Sequence, residues 1–214
     1  VSKDDFSNEN FKWLSSKKVD IGYASVDALR VNFVGELGWE LHHPIEYQNQ
    51  IFDILFEKGN DLNLKPFGIR AMDTLRLEKS YRLPGRELSI EYSALESGLD
   101  RFVSENKGDF IGRNGLAEWK SNGFAYSFST LEVKNIDDSD ALGNNPIYYK
   151  EKLIGRATSG GFGHRINKSI VLAMIKPEHN EIGENLEIDI LGKRYACVVL
   201  PESPYDPENK KIKA

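Results

Sequence analysis

Three side chains close together in sequence have the types needed to hold a flat heterocycle: Phe33, Trp39 and Glu40, within residues 29–44, read LRVNFVGELGWELHHP. A carboxylate beside aromatic surface receives a ring that presents adjacent ring N–H and amino donors, and a pterin is such a ring. Two parallel donors on one carboxylate make a bidentate, charge-assisted contact. If Glu40 were buried, its charge would cost several kcal/mol unless donors matched it. An ordinary hairpin carrying a solvated glutamate fits the same spacing. Val31, Phe33 and residues 39–41 favour extended structure, while Gly35 and Gly38 bracket Glu36 and Leu37 in what reads as a tight reversal. The spacing predicts a hairpin of residues 26–33 and 39–43.

Other candidates carry less chemistry. Arg70, Arg76 and Arg86 read as a solvated face or as local pairs with Asp73, Glu78 and Glu87. The glycine cluster SGGFG at 159–163 has neither dinucleotide nor phosphate-loop spacing, and it reads as a turn between strands. His42 and His43 are adjacent, so on a strand they point to opposite faces and do not chelate one ion; no metal site is expected. His164 and His179 lie in expected turns. Cys197 falls in an alternating run and reads as a small core residue rather than a nucleophile. No Ser/His/Asp arrangement can be assigned, so the catalytic residues stay unknown.

The elements that must position these groups follow from periodicity. A short surface helix is expected over residues 7–18, with Ser7 as cap. Pro44 opens a second helix whose Tyr47, Ile51, Ile54 and Leu55 form one stripe, ended by Gly59. Ile69, Met72 and Leu75 mark a helix over 67–80, Pro84-Gly85 breaks the chain, and a short helix runs through Trp119. From residue 124 onward the composition turns to short β runs: 124–133, 146–149, 153–158, 170–175, 186–190 and 195–200, with Gly160-Gly161 among the breaks. Six such strands predict a small antiparallel barrel or sandwich. The fold class is α+β, with a boundary near 115–123 that divides a region 1–114 from a barrel domain 115–214.

Composition bounds the function. The 214 residues are 40% hydrophobic with net charge −5, enough for a real core and lacking a basic stripe for nucleic acid. One cysteine excludes an intrachain disulfide and fits a reducing compartment, cytoplasm or mitochondrial matrix. No apolar run approaches the roughly 20 residues that span a bilayer, so the chain reads as soluble, with no membrane partner.

Four segments in order then carry a resemblance: VGELGWE at 34–40, FGIRAMDTLRLE at 67–78, KGDFIGR at 107–113 and TSGGFGH at 158–164, with PYDPEN closing at 204–209. Together they resemble the tetrahydrofolate-binding aminomethyltransferase (glycine cleavage T-protein) superfamily. The wording is most similar to the C-terminal folate domain of dimethylglycine and sarcosine dehydrogenases. The resemblance implies a cloverleaf of domains around a folate channel, of which this chain would supply half of a ferredoxin-like domain, a piece of the central domain and the C-terminal barrel. Family members carry about 150 further residues upstream, a domain-scale length, including the aspartate associated with catalysis. A missing N-terminal region or flavin domain is therefore an expected partner, and apolar surface should be exposed where it belongs.

Residue by residue, the resemblance makes Glu40 the glutamate that hydrogen-bonds the pterin. It puts Phe33 where lipoyl-dependent members often have a tyrosine, with Trp39 beside them, and Met72 where those members have an arginine; Arg70 is its nearest substitute. The implied cofactor is tetrahydrofolate, with no flavin site visible in the chain. The implied reaction is one-carbon transfer from a glycine-derived or methylated amine. Lipoyl-carrier-dependent glycine cleavage is the alternative activity within the superfamily, and a noncatalytic folate-binding regulatory or assembly module is the alternative from a different function class.

Overall fold

Alternation of apolar and polar side chains builds the first sheet. In β1 (Ser16–Ile21) and β2 (Ala24–Leu29), Val19, Ile21, Ala24, Val26 and Ala28 are all buried while their neighbours face outward, the period-2 pattern of a one-faced sheet. The two strands pair antiparallel with Val19 opposite Val26, and they turn at Gly22-Tyr23, where Gly22 holds φ +59°. β3 (Glu40–His42) adds to β2 with Glu40 opposite Leu29, giving the order β1-β2-β3. α1 (Gln48–Gly59) follows a single 3₁₀ turn and packs Ile51, with Ile54 and Leu55 beside it, on the same apolar face together with Phe11.

The computed structural model describes all residues 1–214, gathered into two units: 1–73 with 206–214, and 74–205. Two expectations fail in the first unit. Residues 7–18 do not form a helix. Phe11 N–H bonds to the Ser7 carbonyl for one turn only, Leu14 takes a left-handed φ of +61°, and the chain enters β1; the alternation of Val19 and Ile21 outweighs the cap signal. The expected hairpin keeps its strand pairing but loses its tight reversal. Its strands end at Leu29 and begin at Glu40, joined by a ten-residue loop in which Asn32 Oδ1 accepts from Val34 N (3.3 Å) and Gly35 N (2.6 Å). The tight hairpin is the one at Gly22. Ile45, Phe52, Leu62, Leu64, Phe67 and Ile69 of this unit are exposed, Leu62 at 83%.

α2 (Ile69–Glu78) begins in the first unit and ends in the second, and α3 (Arg113–Asn122) contains Trp119 as expected. The rest of the second unit is a closed antiparallel barrel of β4 (Ser127–Val133), β5 (Pro146–Tyr149), β6 (Lys152–Gly163), β7 (Lys168–Ile175), β8 (Asn185–Ile190) and β9 (Lys193–Leu200), ordered β4-β7-β6-β5-β8-β9. The fold class is thus α+β with a small antiparallel barrel, as the sequence predicts. β7 explains its own unbroken apolar run: Val171, Ala173 and Ile175 join the barrel core, while Ile170, Leu172 and Met174 join a second cluster with Leu77 and Phe128. A strand buried on both faces has no polar alternation.

The Gly160-Gly161 break is corrected. Both glycines lie inside β6, twelve residues long. They are small because neighbours come close: a Cβ at Gly160 would sit 2.2 Å from the Ala141 carbonyl oxygen, and one at Gly163 2.9 Å from Glu78 Cγ. Glycine in a strand marks close approach as well as turns.

Cys197 is a core residue of the barrel, 2% exposed. Burial, with a smaller contribution from the Glu187 charge, pushes its thiol up to about 12. The thiolate is the reactive form, so alkylation at pH 8 is expected to be at least about 100-fold slower in the native protein than in denaturant, as read by mass spectrometry.

Candidate site around Glu40 and its supporting framework

Glu40 opens β3 with its side chain half exposed. Its Oε2 lies 3.1 Å from His42 Nε2, two residues on and therefore on the same face of the strand. Oε1 makes no hydrogen bond in the structure. The carboxylate is therefore reachable, with one oxygen shared with an imidazole and the other open, which is a chemistry a pair of parallel N–H donors can use. Pairs of this exposure contribute little to stability, so a ligand can compete with His42 at small cost.

Trp39, the preceding residue, faces the core. Its ring stands edge-on to Phe6 at 5.4 Å, lies 6.2 Å from Phe11, and has the Arg30 guanidinium 5.8 Å from its centroid. Arg30 is itself buried and donates to the Phe11 carbonyl (2.6 Å) and the Ala214 carbonyl (3.2 Å). This packing fixes where the strand begins and so where Glu40 sits. Phe33 is half-buried in the ten-residue loop, and Arg70 is exposed in the first turn of α2. Phe33, Trp39 and Glu40 thus share one loop and strand, whereas Arg70 stands on a different element. The residue that spacing missed is His42; the Glu-x-His period of two on a predicted strand was the signal.

A second group of functional-looking side chains proves to be framework. Arg76 and Glu87 are both fully buried and paired at 3.3 Å. The Glu87 carboxylate also accepts from Leu83 N (2.9 Å), Thr158 Oγ1 (2.5 Å) and Ser159 Oγ (2.6 Å), while Arg76 Nη2 donates to Ser159 Oγ (2.8 Å) and its Nη1 to the Tyr81 carbonyl (3.0 Å). The sequence reads Arg76 as part of a solvated face or of a local pair; its partner is instead Glu87, eleven residues on, and the pair is dry. Beside it Glu78 accepts Arg165 N at 2.7 Å and bonds Arg165 Nε, with the Arg165 guanidinium 3.7 Å above the Tyr205 ring. Arg82 lies 3.8 Å from the Phe128 centroid and holds both oxygens of Glu202 (2.5 and 3.1 Å). These groups tie the end of α2 and the loop after it to β6, to the β6–β7 turn and to the segment after β9.

An α+β chain with an antiparallel six-stranded barrel, preceded by a sheet and helices that present an accessible carboxylate, is the class that fold and site define. Two family models match it, "GCVT N-terminal domain" over residues 1–107 and "Glycine cleavage T-protein C-terminal barrel domain" over residues 128–206. The chain belongs to the glycine cleavage T-protein (aminomethyltransferase) family.

Among curated relatives, mitochondrial dimethylglycine dehydrogenase of Homo sapiens is 36% identical over 94% of this chain and 23% of its own length. Aminomethyltransferase of Desulfitobacterium hafniense is 33% identical over 94% of this chain and 54% of its own. 4-Methylaminobutanoate oxidase (formaldehyde-forming) of Paenarthrobacter nicotinovorans is 31% identical over the whole chain and 26% of its own length. The solved glycine cleavage system aminomethyltransferase T from Bartonella henselae has the same fold, with TM-score 0.81 at 20% identity over 91% of this chain and 53% of that one. The chain therefore spans between about a quarter and about half the length of these relatives. No helix is long and apolar enough to cross a membrane.

Removing one member of a buried pair leaves the other charge uncompensated. Glu87→Ala is expected to destabilise the second unit by about 3–5 kcal/mol in urea unfolding. Arg70→Ala, on an exposed turn, is expected to change stability by less than about 0.5 kcal/mol.

Proposed function

We propose that this chain is the tetrahydrofolate-binding part of an aminomethyltransferase-like enzyme that moves a one-carbon unit from a glycine-derived or methylated amine to tetrahydrofolate. The observation that carries the proposal is the Glu40 carboxylate, held at the start of β3 by the Trp39–Arg30 packing, half exposed, with one oxygen open. Glu40 would accept the two parallel donors of the pterin edge. Phe33 would supply apolar ring surface, and Arg70 a cation for an anionic part of the ligand. Trp39 acts through the position it gives Glu40. Bound tetrahydrofolate supplies the nitrogens that take up the one-carbon unit, and the protein's share is to hold the pterin in one orientation, which raises the effective concentration of the reacting groups and limits the access of water.

In this reading residues 1–114 form the folate-binding region and residues 115–214 the barrel domain. The dehydrogenase-like branch is favoured by the 36% identity to dimethylglycine dehydrogenase, and in it a flavin domain elsewhere in the protein would oxidise the amine. The exposed Phe52, Leu62, Phe67 and Ile69 suit a setting inside a longer protein, where further chain covers them.

Calorimetric titration of tetrahydrofolate into the protein tests the assignment. Glu40→Gln keeps the shape but replaces one acceptor oxygen by a donor, and it is expected to weaken binding about 10- to 100-fold, the loss of one charge-assisted contact of about 1.5–3 kcal/mol. Unchanged affinity would remove Glu40 from the site.

A further inference from the structure

The second unit contains a small amphipathic cleft that the one-carbon chemistry does not use. It lies between α3 and the loop of residues 103–112, has a volume of about 220 Å³, and is walled by Leu95, Val103, Phe110 and Leu116 with Arg113 at its rim. Glu105, Asn106 and Lys120 complete its polar side; apolar walls with a few placed polar groups are the ordinary make-up of a small-molecule site, and this volume is below the roughly 300 Å³ at which sites for larger ligands begin.

The charges around the cleft do not cancel. Lys120 Nζ donates to both oxygens of Glu105 (2.9 and 3.3 Å), so that pair is neutral and occupies the carboxylate nearest in the lining. The Arg113 guanidinium makes no hydrogen bond or ion pair, and Asp109, the other carboxylate of the loop, is exposed and not paired with it. Lys107 adds a second positive charge, its Nζ 4.6 Å from the Phe110 ring centroid. One planar guanidinium with its donors unused beside an apolar slot matches one carboxylate attached to an apolar body. With the Asp109 carboxylate opposing one of these two cations, the net charge is a single positive one, which suits a monoanion better than a dianionic phosphate.

We infer that this cleft binds a small monocarboxylate, its aliphatic chain between Phe110 and Leu116 and its carboxylate on Arg113. The site belongs to the second unit alone and does not depend on the folate reading of Glu40. Hexanoate is the probe, titrated into isotope-labelled whole protein and followed by backbone amide shifts. The site predicts saturable shifts centred on residues 95–120, a dissociation constant at least tenfold weaker in Arg113→Gln, and no comparable binding of hexylamine or hexan-1-ol. Arg113 is exposed, so the variant is expected to fold as the parent does, and its amide spectrum checks this. Shifts that do not saturate, equal affinity in Arg113→Gln, or equal binding of the alcohol would each overturn the inference.

Discussion

The buried pair of Arg76 and Glu87 is the constraint around which the second unit is arranged. Two ions taken fully out of water are tolerated only when their lone pairs and protons are matched, and here the glutamate receives four donors from three places in the chain. Meeting that demand requires the end of α2, the turn at residues 81–88 and the middle of β6 to converge. The residues of β6 that converge are small or hydroxylated for this reason. Thr158 and Ser159 supply the donors, and Gly160, Gly161 and Gly163 leave room for Ala141, Leu77 and Glu78. The charged wording of residues 76–87 and the glycine-rich wording of residues 158–163 are two sides of one packing requirement.

That requirement also shows what a single sequence reveals and what it hides. The barrel strands were legible because their alternation or continuous apolar runs state the period directly, and residues 146–149 match β5 at both ends. α1 and α2 were legible from their stripes. The misread segments are those whose meaning is non-local. SGGFG looks like a turn when read alone, since nothing in its five residues announces that Leu77 and Glu78 will pack on it. Residues 7–18 offered a cap and two apolar positions, and the strand partner that overrules them lies across the Gly22 turn. The loop of residues 30–39 had the glycines of a tight reversal, but Asn32 closes a local turn with Val34 and Gly35 and leaves the strands a longer path.

The candidate site was legible to a different degree. Spacing groups Glu40 with two aromatic residues, and one of them, Trp39, belongs to the core with Phe6, Phe11 and Arg30. Spacing cannot distinguish an aromatic that faces a ligand from one that anchors the strand bearing the ligand's partner. Family membership narrows the reading more than geometry does, because a half-exposed glutamate is common and acquires meaning only among the ordered motifs around it. Relatives sharing this region include both dehydrogenase-type and transferase-type proteins, so what is common to them is the region's architecture.

The central claim is that Glu40 anchors the pterin ring. The most direct measurement is a crystal structure of the whole protein with tetrahydrofolate bound. The account predicts the Glu40 carboxylate within hydrogen-bond distance, about 2.7–3.0 Å, of two adjacent pterin nitrogens, with His42 displaced from at least one oxygen. A pterin bound elsewhere, with the Glu40–His42 pair unchanged, would contradict it.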